Sequence, residues 1–255
     1  MSTPLKIWFE RDGKLLRLRL ARPKANIVDA EMIAALDGAL AEHVSNSGLL
    51  AVLLDAEGPH FSFGASVEEH MPENCTAMLQ ALHGLILRMA HSEIPIIACV
   101  GGQCLGGGLE VAMAAHMMFV ADDAKLGQPE IRLGVFAPAA SCLLPEKIGP
   151  ARAFDLLVSG RSISAADADS WGLANDCSED PKTAALAWFD DHIAGLSGAS
   201  LRQAVSAAHG ALADRLEARL KEVERQYLED LMATHDAVEG LTAFVEKRSV
   251  KWENR

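Results

Sequence analysis

An alternation of strand-length apolar runs with longer helical runs predicts an α/β fold for this chain. Two observations define it further. The runs LLAVLLD and IPIIACV are apolar without a break, as strands are when both faces of a sheet are covered. From Ser200 onward there is no proline, and apolar residues recur at helical spacing. The chain therefore reads as a layered body over residues 1–198 and a helical C-terminal region over residues 199–255.

In order along the chain, residues 14–20 alternate Leu16, Leu18 and Leu20 with Arg17 and Arg19, a strand expected to keep one face wet. Residues 26–44 read as a helix, with Asp29 placed to cap it. A buried strand at 49–55, a mostly apolar helix at 75–90 and a second buried strand at 94–100 follow. After a glycine-rich turn and a helix comes a strand at 117–122. Beyond about Pro150 the strands are expected to stop. GPARAFDLLVSG and SAADADSWG read as short helices, the second opened by Ser164 with Asp167 at capping-box spacing. The charge-laced C-terminal helices need a surface to cover, on the body or on another subunit.

Composition excludes several functions. A net charge of −12 is the wrong sign for a nucleic-acid partner. Five scattered cysteines without a C-x-x-C pair give neither a zinc site nor a disulfide framework. No apolar run is long enough to span a membrane, and the first residues, MSTPLKIWFERDG, show no export or transit pattern. A cytoplasmic protein is the simplest expectation.

The chemistry points to GGQCLGGGLEVAM, five glycines within eight residues and then Glu110 in a helix. A phosphate loop needs Lys and Ser/Thr after its last glycine, but Leu109 and Glu110 stand there. The dinucleotide spacing G-x-G-x-x-G and the serine elbow G-x-S-x-G are both absent. What remains is a strand, a glycine turn and a helix N-terminus, a place for negative charge that forms during a reaction. The alternative is that the glycines only allow close helix–sheet packing. A second turn, HFSFGASVEEH, carries Gly64 after its own strand, and the two turns offer backbone N–H groups that can serve one oxygen from both sides. Glu130, in a loop after Pro129, is a candidate second carboxylate beside Glu110 for acid–base work.

Taken together, RPKANIVDAEM, HFSFGASVEE, GGQCLGGGLEVAM, AKLGQPEIRLGV, GPARAFDLLVSGRSISAADADSWGLA and FVEKRSVKW, in this order and over almost the whole chain, resemble the crotonase, or enoyl-CoA hydratase/isomerase, superfamily. The resemblance implies a spiral of ββα turns (a crotonase-like ββα superhelix) with a helical oligomerisation region. It implies a homotrimer or a dimer of trimers. The implied ligand is an acyl-CoA thioester whose carbonyl oxygen accepts from the N–H groups of Ala65 and Gly107. No separate cofactor or metal is implied, since CoA is part of the substrate.

Both glutamates of the family's hydratases are present, as Glu110 and Glu130. Hydration of a conjugated enoyl thioester is therefore expected ahead of isomerisation, and a non-catalytic acyl-CoA-binding scaffold is the alternative of another class. The pattern looks most like the branch whose acyl group is a cyclohexadiene ring, in anaerobic aromatic degradation; a linear chain is the alternative. The resemblance also implies substrate contacts from Gly64, Ser66, Val67, Gly106, Pro129 and Gly134, and CoA contacts from Arg22, Lys24 and Ala25. Lys247, Arg248 and Lys251 are candidates for a neighbouring subunit's 3′-phosphate, or simply a solvated face. Two positions depart from the family pattern. Ser66 replaces an aspartate, and Pro138 stands where a glycine N–H helps to hold the water.

Overall fold

The computed structural model describes residues 3–255. Its main sheet has six strands in the order β1 (Leu5–Glu10), β2 (Leu15–Leu20), β3 (Ala51–Ala56), β4 (Ile96–Val100), β6 (Met117–Ala121) and β9 (Asp176–Ser178). β1 and β2 pair antiparallel and the remaining neighbours are parallel. A second sheet joins β5 (Gln103–Leu105), β7 (Lys125–Gly127) and β8 (Ser162–Ser164). Isolated bridges extend it, with Ser62 paired to Cys104 and Val28 to Ala65. Successive turns thus leave the main sheet, add a short extended piece to the second sheet, and return through a helix. This is the ββα spiral.

Both faces of the main sheet are covered, which is why β4 and β6 are apolar throughout and β3 is apolar but for Asp55. On one side Leu16, Leu18, Val52 and Ile96 share a core with Met32 and Leu36 of α1 (Ala30–His43) and with Leu82 and Ile86 of α2 (Cys75–Ala90). On the other, Leu15, Leu53, Ile97 and Phe119 pack on Ala185 and Phe189 of α7 (Pro181–His192). Asp29 caps α1, accepting from the Met32 N–H at 3.0 Å. Ser164 and Asp167 form the expected capping box on α6 (Ala165–Ser170).

Two expectations are corrected. The Arg17/Arg19 side of β2 is not wet. Arg17 is only 3% exposed, and both guanidinium groups converge on the fully buried Asp55 of β3. Trp8 of β1 covers them, each guanidinium carbon 5.1 Å from its ring centroid. Strands also continue past Pro150. β8 pairs antiparallel with β7, and β9 closes the main sheet beside β6. Three-residue strands carry too little periodicity to read locally, and partners elsewhere in the chain define them.

α3 (Gly107–Ala114) is buried along its whole length. α4 (Pro138–Ile148) and α5 (Pro150–Ser159) lie next to each other. α8 (Gly198–Arg225) packs back on α2 and α4, with Ala213, Leu216, Leu220 and Val223 in the main core. It passes into a π-helical turn, Gln226–Leu231, before α9 (His235–Val245). All five cysteines are free thiols. Among the described residues no helix is long and apolar enough to cross a membrane.

Candidate active site

The two glycine-bearing turns meet. The early loop is pinned first. Buried Asn26 donates to the Glu57 and His60 carbonyls at 3.0 Å each and accepts from the Arg22 N–H at 3.0 Å. The same loop then pairs with the 62–65 turn through Phe63 N–H to Ala25 O, 2.9 Å, and Val28 N–H to Gly64 O, 3.0 Å. Ser62 is buried beneath this turn and accepts from the Gly64 N–H at 3.0 Å.

Each glycine of the triplet has its own neighbour. A methyl group on Gly106 would lie 2.6 Å from Glu130 Oε1, and the residue sits at φ +51°. On Gly107 it would lie 2.9 Å from Ala65 Cβ, and on Gly108 2.5 Å from Ser62 Oγ. The approach of Gly107 to Ala65 sets the two expected donors side by side at the start of α3. Among the described residues neither the Ala65 nor the Gly107 N–H donates to another backbone or side-chain acceptor. Both are available to a ligand oxygen, with the positive end of α3 behind them.

The pocket beside them has a volume of about 70 Å³. Gly64, Ala65 and Val67 line one wall, and Gly106, Gly107 and Glu110 the next. Pro129, Glu130 and Pro138 complete it. The remaining wall is apolar apart from His70 and includes Leu79 and Leu82 of α2, Phe136, and Leu241 of α9. Those four come from distant elements and carry no local motif.

The carboxylates are held differently. Glu110 is 3% exposed, and its Oε1 accepts from the Ala140 N–H at 2.8 Å, in the first turn of α4. Burial raises its pKa, while the N–H groups of Ala140 and Ala139 and the nearby His83 pull the other way. Pro138 is the first residue of α4. Its missing N–H is one that a helix start leaves unpaired anyway, and the donors behind it serve Glu110. Glu130 sits on a single 3₁₀ turn, Pro129–Leu133, not in an irregular loop. Burial, then the charge of Glu110, pushes its carboxyl up to about 8. Gln128, 1% exposed, has its amide nitrogen 3.1 Å from both Glu130 oxygens when turned to donate. Behind Glu110, buried His83 of α2 bonds through Nδ1 to Glu224 Oε2 of α8 at 2.5 Å.

Five of the expected contact residues lie outside the pocket lining. Ser66 precedes the next 3₁₀ turn, Glu68–His70, and its hydroxyl accepts from the Glu69 N–H at 3.4 Å. Gly134 is pressed against the Asp236 carbonyl and the Trp252 ring, where a methyl would meet atoms at 2.7 and 3.0 Å. Arg22 is engaged by Asp29 and by the Ile27 carbonyl. Lys24 and Ala25 stand on the loop beside the 62–65 turn, and Lys24 is exposed. In the tail, Arg248 pairs with Glu239 and Glu246, each at 2.6 Å.

Comparison with known proteins identifies the family and the fold. The family model for enoyl-CoA hydratase/isomerase matches residues 10–255. The chain is 65% identical over 254 residues to a cyclohexa-1,5-dienecarbonyl-CoA hydratase of Thauera aromatica, covering 100% of this chain and 98% of the relative. It is 33% identical to a probable enoyl-CoA hydratase of Mycobacterium bovis, over 98% of each. Among solved structures, an enoyl-CoA hydratase/isomerase from Pseudoalteromonas atlantica superposes with a TM-score of 0.83 at 27% identity, covering 98% of this chain and 99% of that one.

Proposed function

The chain belongs to the enoyl-CoA hydratase/isomerase family, and on that premise we propose that it is a hydratase adding water to a cyclic conjugated dienoyl-CoA thioester. The observation that carries this reading is one pocket lined by both unpaired N–H groups, Ala65 and Gly107, and by both carboxylates, Glu110 and Glu130. The 65% identity to a relative named for cyclohexa-1,5-dienecarbonyl-CoA supports the ring as the acyl group. The product is then a 6-hydroxycyclohex-1-ene-1-carbonyl thioester.

The thioester oxygen accepts from Ala65 and Gly107, and negative charge gathers there as water adds at the β-carbon. Glu110, with two backbone N–H groups and His83 favouring its anion, is the base that takes the water's proton. Glu130, protonated at neutral pH, is the acid. The product keeps a double bond next to the carbonyl, so the proton of Glu130 goes to the far end of the diene and not to the carbon beside the carbonyl. Burial raises both carboxyls and the charge of Glu110 raises Glu130 further, so the pair holds one proton and divides the acid and base roles.

The CoA moiety lies along the loop of Lys24 and Ala25, next to the 62–65 turn. Lys24 is exposed and forms no ion pair among the described residues, which makes it a freer phosphate ligand than Arg22. The assembly is a homotrimer or a dimer of trimers. The exposed apolar residues Phe154 (67%) and Val158 (53%) of α5 support a subunit contact. Glu110→Gln and Glu130→Gln, tested singly, check the reading. Each is expected to bind the thioester and to lose hydration by about 10²–10⁴-fold; unchanged turnover in both variants contradicts it.

A further inference from the structure

Tyr227 is the only tyrosine in the chain. It is fully buried, and its hydroxyl has no hydrogen-bond partner. Buried hydroxyls are nearly always paired, so an unpaired one needs an explanation. Its position adds a second clue. Tyr227 stands on the π-helical turn that ends α8, and such turns are frequent at functional sites.

The turn places the ring directly behind the apolar wall of the active-site pocket. Tyr227 meets Phe136 edge-on, with ring centroids 5.3 Å apart. It shares an apolar cluster with Leu79, Val135 and Leu241, and all four of these neighbours line the pocket. Burial keeps the phenol protonated, and Cys75, Glu130 and Glu110 all push in the same direction. The hydroxyl is therefore a donor without an acceptor, behind the apolar wall that Phe136, Leu79, Val135 and Leu241 form.

We propose that the Tyr227 hydroxyl is a further polar contact of the active site, donating to the water that adds and then to the product hydroxyl. It supplies at the ring end of the pocket the donor that Pro138, without an N–H, does not provide. This assignment rests on the hydratase reading given above. A cavity of roughly 150 Å³ accommodates a benzene ring, about twice the 70 Å³ found here. Tyr227 itself stands outside the lining, behind Phe136, so the proposal requires a ring substrate to displace Phe136 and bring the hydroxyl to the ring's edge.

Tyr227→Phe in the full-length chain tests this, with cyclohexa-1,5-diene-1-carbonyl-CoA as substrate. Phenylalanine fills the same ring volume and removes only the unpaired oxygen. A purely structural tyrosine predicts wild-type kcat with an equal or higher Tm. The proposal predicts an equal or higher Tm together with a kcat at least ~10-fold lower and a KM changed less than ~2-fold. A kcat within ~2-fold of wild type overturns it.

Because the chain has one tyrosine, growth on 3-fluorotyrosine labels this site alone and gives a second readout that does not depend on how the phenylalanine variant folds. The ¹⁹F resonance is expected to shift further with the hydroxylated product thioester than with cyclohex-1-ene-1-carbonyl-CoA, which lacks the hydroxyl. Equal shifts overturn the proposal. Wild-type protein that hydrates no thioester refutes the hydratase reading instead, so the two failures are distinguishable.

Discussion

Gly106→Ala places a methyl group 2.6 Å from Glu130 Oε1, at a backbone position with φ +51° and ψ −133°. The two consequences can be measured separately. An L-residue in so sparsely populated a conformation costs about 1–3 kcal/mol, which for a chain of this size lowers Tm by about 2–4 °C per kcal/mol. Relief of the contact to an ordinary separation of about 3.4 Å moves the carboxyl by about 0.8 Å. Gln128 and the surrounding walls leave it little room to return. A misplacement near 1 Å costs on the order of 100-fold in rate. The assay is kcat for hydration alongside a thermal melt, with Gly84→Ala as control. A methyl there meets nothing within 4 Å in α2, and it is expected to gain about 0.5–1 kcal/mol with kcat unchanged. If Gly106→Ala melts lower yet turns over like wild type, Glu130 is not an acid whose placement matters.

Hydration by wild type should fall as pH rises through about 8, where Glu130 loses the proton it donates. Its folded pKa lies above the unfolded value, so its stabilising contribution is complete below the unfolded value and is lost as pH rises through about 8. Glu130→Gln should therefore gain Tm relative to wild type between pH 7 and 9, and equal pH slopes in the two melts refute this. Gly107→Ala, whose methyl would meet Ala65 Cβ at 2.9 Å, should spread the two N–H donors and cost about 10²–10³ in kcat; Tm should change little, because no positive φ is involved. Asp55→Ala takes from Arg17 its fully buried partner and leaves it Glu10 alone, and should cost up to roughly 3–5 kcal/mol in chemical denaturation. The folded fraction should keep wild-type kcat.

What was legible in the sequence was local. The helix at 75–90 could be read to both ends because its apolar residues repeat at one period. Asp29, Ser164 and Asp167 announced their caps within three residues of the N–H groups they serve. The glycine triplet was legible as a turn that allows close approach, but the reasons for the individual glycines lie elsewhere in the chain, at Glu130, Ala65 and Ser62. The same limit hid Gln128, which has no motif, and the His83–Glu224 pair, whose members stand 141 residues apart. Arg17 misled for a physical reason. Alternation marks which residues share a face, and a charged face is usually wet, but here Asp55 and Trp8 cover it. Residues 162–164 and 176–178 became strands only through the partners that the spiral brings beside them.

The most direct test of the account is turnover in H₂¹⁸O by the wild-type chain, comparing cyclohexa-1,5-diene-1-carbonyl-CoA with crotonyl-CoA. One ¹⁸O atom in a hydroxycyclohexene thioester, formed faster from the ring substrate than from the linear one, is the result expected. A product that moves the double bond without taking up labelled oxygen, or bound thioester recovered unchanged, contradicts it.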